Sequence, residues 1–282
     1  MKKILFAISL LLATVSCTKK LNIPSDPEID SGGRTMVSAT VADYASQAFV
    51  WPASARIGIY DGKGRSNCRY TIMNEYALKG GAASFYGMSV SGSLMAYYPF
   101  SEKGYPCVAE RRQPVLCEQV AGESAARHLA LNSILVAEAS PEGKIEFSYG
   151  NGCTGLLHLK IKCSVEGLVE KVVLQCPASP LAGNVAMQSG TEPLVTEGSH
   201  TVTLTKVGRP CTLQAPLEVW AQVPSGTLEH LTVTAVSADE AFSAAVDGPL
   251  KVVSGGVLDV AVQAAPNRAG NEDLLIIDGS YE

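Results

Sequence analysis

Between residues 156 and 163 the chain reads LLHLKIKC, with Leu157, Leu159, Ile161 and Cys163 on one phase and His158, Lys160 and Lys162 on the other. A period of two places the two sets on opposite faces of an extended strand, so this stretch predicts a half-buried antiparallel β-strand. Leu217–Val223 (LEVWAQV), Leu231–Ala235 (LTVTA), Thr201–Val207 and Val257–Val262 repeat the pattern. The first half carries shorter runs of the same kind at Thr35–Val41, Arg56–Tyr60, Cys68–Ile72, Ser93–Phe100, Ser133–Glu138 and Lys144–Tyr149. Turn residues separate them, as at Asp61–Gly64, and the one stretch with helical character is Glu123–Leu129. Many short strands with hardly a helix predict an all-β fold built of antiparallel sandwiches. A sandwich takes about 100 residues, so two fit in tandem, residues 35–150 and 151–282, with the boundary at the Gly-rich Tyr149–Gly152.

The N-terminus follows another pattern. Lys2 and Lys3 precede about a dozen apolar residues, Ile4–Val15, too few to span roughly 30 Å of hydrocarbon as a helix. Residues 1–16 therefore read as a secretory signal peptide. Cys17 follows Thr14-Val15-Ser16, an arrangement that resembles a bacterial lipobox, in which the cysteine sulfur carries a diacylglycerol and fatty acyl chains. The other reading is a plain signal with a cysteine just beyond the cut. Residues 17–34, with two prolines and two glycines and little to bury, read as a flexible tether.

Removing residues 1–16 takes Lys2 and Lys3 from the 22 basic residues and leaves 20 against 27 acidic, a net charge of −7. That balance argues against nucleic acid as a partner. Setting Cys17 aside for lipid leaves seven cysteines (Cys68, Cys107, Cys117, Cys153, Cys163, Cys176, Cys211), an odd number that requires at least one free thiol. Cys163 reads as a small buried hydrophobe on its strand; Cys107 with Cys117 could close a short loop, and buried free thiols are the alternative for most of the set.

Candidate chemistry is sparse. Neither HExxH, a phosphate-cradling glycine loop nor a DxDxDG calcium loop occurs, so no metal or cofactor is expected. His158 and His230 flank alternating strands, and His128 and His200 sit in polar, turn-like stretches. GMSVSG (Gly87–Gly92) has Ser91 where a nucleophile elbow needs its second glycine. Trp51, Phe85, Tyr86, Tyr97 and Tyr98 could stack on sugar but more simply pack a core. Trp220 falls on the polar phase of LEVWAQV and is the candidate exposed contact for a ligand.

Taken in order, the lipobox-like start, Trp51-Pro52 followed by Arg56–Tyr60 (RIGIY), AYYPF (Ala96–Phe100), SILVAEAS (Ser133–Ser140), LLHLKIKC, PLAGNVAMQSG (Pro180–Gly190) and VWAQVPSG (Val219–Gly226) resemble the fimbrillin family. Its members are lipoprotein-precursor subunits of type V pili in Gram-negative anaerobes. The resemblance implies two transthyretin-like domains, a structural rather than enzymatic role in adhesion, and anchorage in the outer membrane through the lipid on Cys17. It also implies an arginine-specific protease that removes the N-terminal segment with its first strand, and related subunits that fill the vacated groove with a strand of their own. Arg34 and Arg56 are the candidate processing sites, yet a cut at Arg34 would leave Thr35–Val41 attached. No arginine occurs between Val41 and Ala55. Leu274, Leu275, Ile276 and Ile277, in NEDLLIIDGSYE, are the candidate donor strand, or else simply finish the second domain's own sheet. The alternative to a pilus subunit is an outer-membrane lipoprotein that binds glycan or a host ligand without polymerising.

Overall fold

The computed structural model describes residues 34–42, 49–61, 66–73, 82–90, 92, 94–140, 143–149, 153–165, 167–187, 193–246 and 248–267. Their strands in the first half are β1 (Arg34–Ala42), β2 (Arg56–Tyr60), β3 (Asn67–Ile72), β4 (Ala82–Met88) and β5 (Leu94–Tyr98). A short helix α1 (Pro106–Ala109), β6 (Arg112–Val115), β7 (Glu118–Val120) and helix α2 (Ala125–Asn132) come next, then β8 (Leu135–Ala139) and β9 (Lys144–Ser148). The second half holds β10 (Thr154–Lys162), β11 (Lys171–Gln175), β12 (Ala182–Ala186), β13 (Val195–Ser199), β14 (Thr201–Thr205) and β15 (Leu217–Pro224). It ends with β16 (Gly226–Leu228), β17 (Leu231–Val236), β18 (Ala241–Val246), β19 (Leu250–Val252), β20 (Val257–Gln263) and β21 (Ala265–Pro266). The fold is all-β, as the alternation predicts.

Seven strands of the first half form a closed ring in the order β1-β4-β3-β2-β5-β8-β9. The ladder runs continuously round the ring, where the sequence predicts two facing sheets, because β1 pairs with both β4 and β9. Inside, Trp51 makes edge-to-face contacts with Phe49, Phe85 and Tyr98 at centroid distances of 4.8, 5.0 and 5.0 Å. These aromatics are core, as the simpler sequence reading has it. The ring accommodates Tyr97 by a glycine: a Cβ on Gly58 would lie 2.1 Å from the Tyr97 ring.

The second half packs a six-stranded sheet (β21-β18-β17-β11-β14-β7) and a three-stranded sheet (β15-β10-β20) around an aliphatic core. A third sheet, β13-β12-β6, and the hairpin β16–β19 complete it. Cys153, Cys163, Cys176 and Cys211 are fully buried in that core, and all seven described cysteines are free thiols. Cys163 is thus the buried hydrophobe its phase predicts, and Cys107 and Cys117 form no bridge.

The halves are knitted by the chain between β5 and β8. From it β6 pairs with β12, and β7 runs parallel to β14, so both strands join sheets of the second half. Helix α2, capped by Ser124 whose Oγ accepts the Arg127 N–H at 3.3 Å, falls where helical character is predicted. Its buried side carries His128, completely enclosed rather than in an exposed turn. His128 Nε2 donates to Gln119 Oε1 at 2.9 Å, and Asn132 Nδ2 lies 3.3 Å from Nδ1. Gln119 Nε2 donates to the Gln222 carbonyl (2.7 Å), and Gln222 Nε2 reaches the Tyr149 carbonyl and Thr154 Oγ1 at 3.4 and 3.3 Å. Such a network is tolerable in a buried joint only because every member is satisfied. It orients the barrel's exit strand against β10 and β15.

Candidate assembly interface

The residues that would govern strand exchange lie in and around β1. In RTMVSATVA the alternation sends Val37, Ala39 and Val41 into the barrel and leaves Met36, Ser38 and Thr40 exposed. On one side Arg34–Thr40 pairs antiparallel with Met88–Ala82; on the other, Ser38–Ala42 runs parallel to Lys144–Ser148. The strand therefore has no free edge over its centre. Further along the chain, ahead of β2, Phe49, Trp51 and Ala55 are buried in the same core.

Excising everything up to Ala55 would remove Val37, Ala39, Val41, Phe49, Trp51 and Ala55 from the barrel's buried cluster. Truncating a buried Trp alone costs about 3–5 kcal/mol, against roughly 5–15 kcal/mol for a whole domain. A barrel so treated would need another strand, and other rings, to stay folded.

The two candidate processing arginines occupy different settings. Arg34 is the first residue of β1, opposite Met88, so a cut after it leaves β1 in the ring. Arg56 opens β2 with an exposed side chain, but its backbone lies opposite Thr71 and its carbonyl accepts the Phe100 N–H at 2.9 Å. Cleavage there would require local unfolding of the ladder. Cys17 and the Leu274–Ile277 run lie outside the described residues.

The second half presents a different edge. Strand β20 pairs parallel with β10, and no described strand pairs with its other side. Leu258 and Val262 on it are half-buried, and Val257 is 40% exposed. Across this sheet Trp220, His158 and Asp259 stand in one register row. Trp220 is half-buried rather than exposed: it stacks on His158 with ring centroids 4.7 Å apart and planes 2° from parallel, and it also packs against the barrel core. His158 is held by Asp259 through Nδ1 at 2.8 Å and faces Glu218 through Nε2 at 3.3 Å. The hydrogen bond from His158, with a second from Lys160, draws the Asp259 carboxyl below its ordinary range. Because the carboxylates meet opposite nitrogens of one ring, they cannot converge with it on a single metal ion.

The sequence did not point to Gln119, His128 and Gln222. Gln222 shares its phase with Trp220 and Glu218, and that polar phase is covered only where β15 meets the barrel. Nothing in the local pattern of α2 marks His128 as enclosed.

No protein-family profile matches the chain, and no curated protein matches it. Among solved structures it is similar to a candidate cell adhesion protein from Bacteroides ovatus, at 14% identity over 84% of this chain and 96% of that one, with a TM-score of 0.46. A candidate cell adhesion protein from Parabacteroides distasonis matches at 6% identity over 82% of this chain and 89% of that one, with a TM-score of 0.40. The tip fimbrial protein Mfa3 from Porphyromonas gingivalis, with a C-terminal truncation, matches at 11% identity over 76% of this chain and 81% of that one, with a TM-score of 0.32.

Proposed function

We propose that this chain is a cell-surface pilus subunit of the fimbrillin kind, exported as an outer-membrane lipoprotein on Cys17, and that it stands at one end of the fibre. The observation that carries the terminal position is β1, paired on both sides and packed in one core with the buried Phe49 and Trp51. The slot that a neighbour's strand would enter is filled by the chain's own strand. Leu274–Ile277 supplies the donor, adding as an extended segment to a related subunit whose groove is open. Main-chain hydrogen bonds would give that contact its affinity and alternate apolar side chains its register. A subunit that gives a strand and accepts none can only terminate a series of exchanges, and a lipid on Cys17 makes that end the membrane-proximal one.

The two transthyretin-like domains belong to the same reading, with the barrel as the first and the sheets around the aliphatic core as the second. Cleavage by an arginine-specific protease after Arg34 would leave the barrel intact but release it from the lipid on Cys17, so the anchored subunit is one that escapes that cut. The test is a chain lacking residues 268–282, expressed in the native bacterium. The truncated chain should stay in the membrane fraction and vanish from detergent-resistant, high-mass pilus material. Equal recovery of truncated and full-length chains in that material would refute the donor role.

A further inference from the structure

We infer that the cleft between α1, β6 and the β12–β13 hairpin is a binding site for a neutral saccharide of one or two rings. The cleft has a volume of about 360 Å³, within the usual span of small-molecule sites. Its floor is one register row across three strands, Pro114, Asn184 and Thr196. Its wall is Tyr105, half-buried and fixed edge-to-face against Tyr97 with ring centroids 5.4 Å apart. A fixed phenol ring beside amide, hydroxyl and carboxylate groups offers what a pyranose needs, an apolar surface for its C–H face and partners for its hydroxyls.

The polar groups are arranged in advance. Arg112 Nη1 donates to Thr196 Oγ1 at 2.9 Å, and Asn184 Nδ2 donates to Glu197 Oε2 at 2.6 Å. Each keeps donor or acceptor capacity beyond the bond it makes. The arrangement costs backbone strain. The β12–β13 pairing carries a bulge between Ala182 and Asn184, Glu197 on the facing strand adopts φ +51°, and Arg111 at the mouth of β6 adopts φ +59°. Bulges re-aim side chains, and left-handed non-glycine residues persist only where surroundings impose them. Gly183 permits the bulge: at its φ of +132° a Cβ would sit 2.8 Å from the Thr196 carbonyl oxygen. Glu110 and Glu197 outnumber the single Arg112 guanidinium, so the cleft favours neutral over acidic sugars.

This inference goes beyond the proposed pilus role by adding a ligand-binding activity and is independent of strand donation, which the tail deletion tests separately. The experiment is isothermal titration of the full mature chain with lactose, N-acetylglucosamine and mannose, with N-acetylneuraminic acid as the acidic comparison. At least one neutral sugar should bind with a Kd on the order of 1 mM, and N-acetylneuraminic acid should bind more weakly. Exposed Glu197→Gln and floor variant Asn184→Ala should each weaken binding by about tenfold, whereas Glu218→Gln on the β15 face should not. Circular dichroism would establish that each variant is folded, and Glu197→Gln alone decides the matter if Asn184→Ala is not. The inference fails if none of the three neutral sugars binds, if the acidic sugar binds best, or if binding ignores Glu197→Gln.

Discussion

The two halves of the molecule bury themselves with different residues. The barrel's cluster is built on rings (Phe49, Trp51, Tyr70, Phe85, Phe147, Tyr149), while among the described residues the second half's core has Phe242 as its one aromatic amid valines, leucines and four cysteines. A ring of seven strands encloses a narrow interior that a few large side chains can fill. Two facing sheets spread the same task over many β-branched residues at alternate positions. Stability is therefore concentrated in the barrel and distributed in the sheets. Two of the barrel's anchors, Phe49 and Trp51, lie immediately downstream of the strand that subunit exchange would have to displace. A cut that removed everything ahead of β2 would therefore take two ring anchors from the barrel.

The contrast can be broken most directly by truncating each core. Trp51→Ala should cost about 3–5 kcal/mol in urea unfolding, whereas Val233→Ala in the second half should cost only about 1–2 kcal/mol. Equal losses would mean that the rings hold no special share. The joint between halves gives the next largest effect. Burial pushes the His128 imidazole down to about 4 from an ordinary 6.5. In the unfolded chain it takes up a proton near 6.5, and in the folded chain only near 4. Stability is then fully present above 6.5 and falls as pH drops from there to about 4, by roughly 3 kcal/mol. His128→Gln should flatten that slope in urea titrations run at several pH values; an unchanged slope would place the proton uptake elsewhere.

Smaller again is the effect at the bulge. Gly183→Ala forces a side chain into a conformation glycine tolerates and should cost about 1–3 kcal/mol by thermal melting. The smallest perturbation is chemical. Cys117 is exposed, and burial pushes the Cys153 and Cys163 thiols up to about 12 and Cys107 to about 11. Alkylation of the native protein should therefore label Cys117 first and reach Cys153, Cys163, Cys176 and Cys211 only on unfolding. Rapid native labelling of those four would show that the aliphatic half is far looser than its packing implies.

Where alternation is clean, sequence and structure agree closely: Arg56–Tyr60 is β2, and the LLHLKIKC strand is β10 extended to Thr154. Three of the strands the pattern does not reveal carry turn residues inside them. β6 contains Pro114, β12 contains Gly183 at its bulge, and β4 carries Gly87 just before its last residue, where it gives way to the Tyr70 ring. Their strand character comes from neighbours rather than from their own composition. Two features depend wholly on tertiary contact. The enclosure of Gln119, His128 and Gln222 arises because a polar phase happens to face the other half, and the saccharide cleft exists only because α1 stands over the β12–β13 hairpin. The β1 strand is legible locally, but its pairing on both sides, which decides its role in assembly, is not.

The central claim is that this subunit reaches the cell surface lipid-anchored and with its own first strand still closing the barrel. Intact mass spectrometry of the protein extracted from its native outer membrane, read at the N-terminus, tests it most directly. The expected result is an acylated chain beginning at Cys17 and still containing residues 34–42. A mature start at Ile57 in high-mass oligomers, or an unmodified soluble chain, would contradict the account.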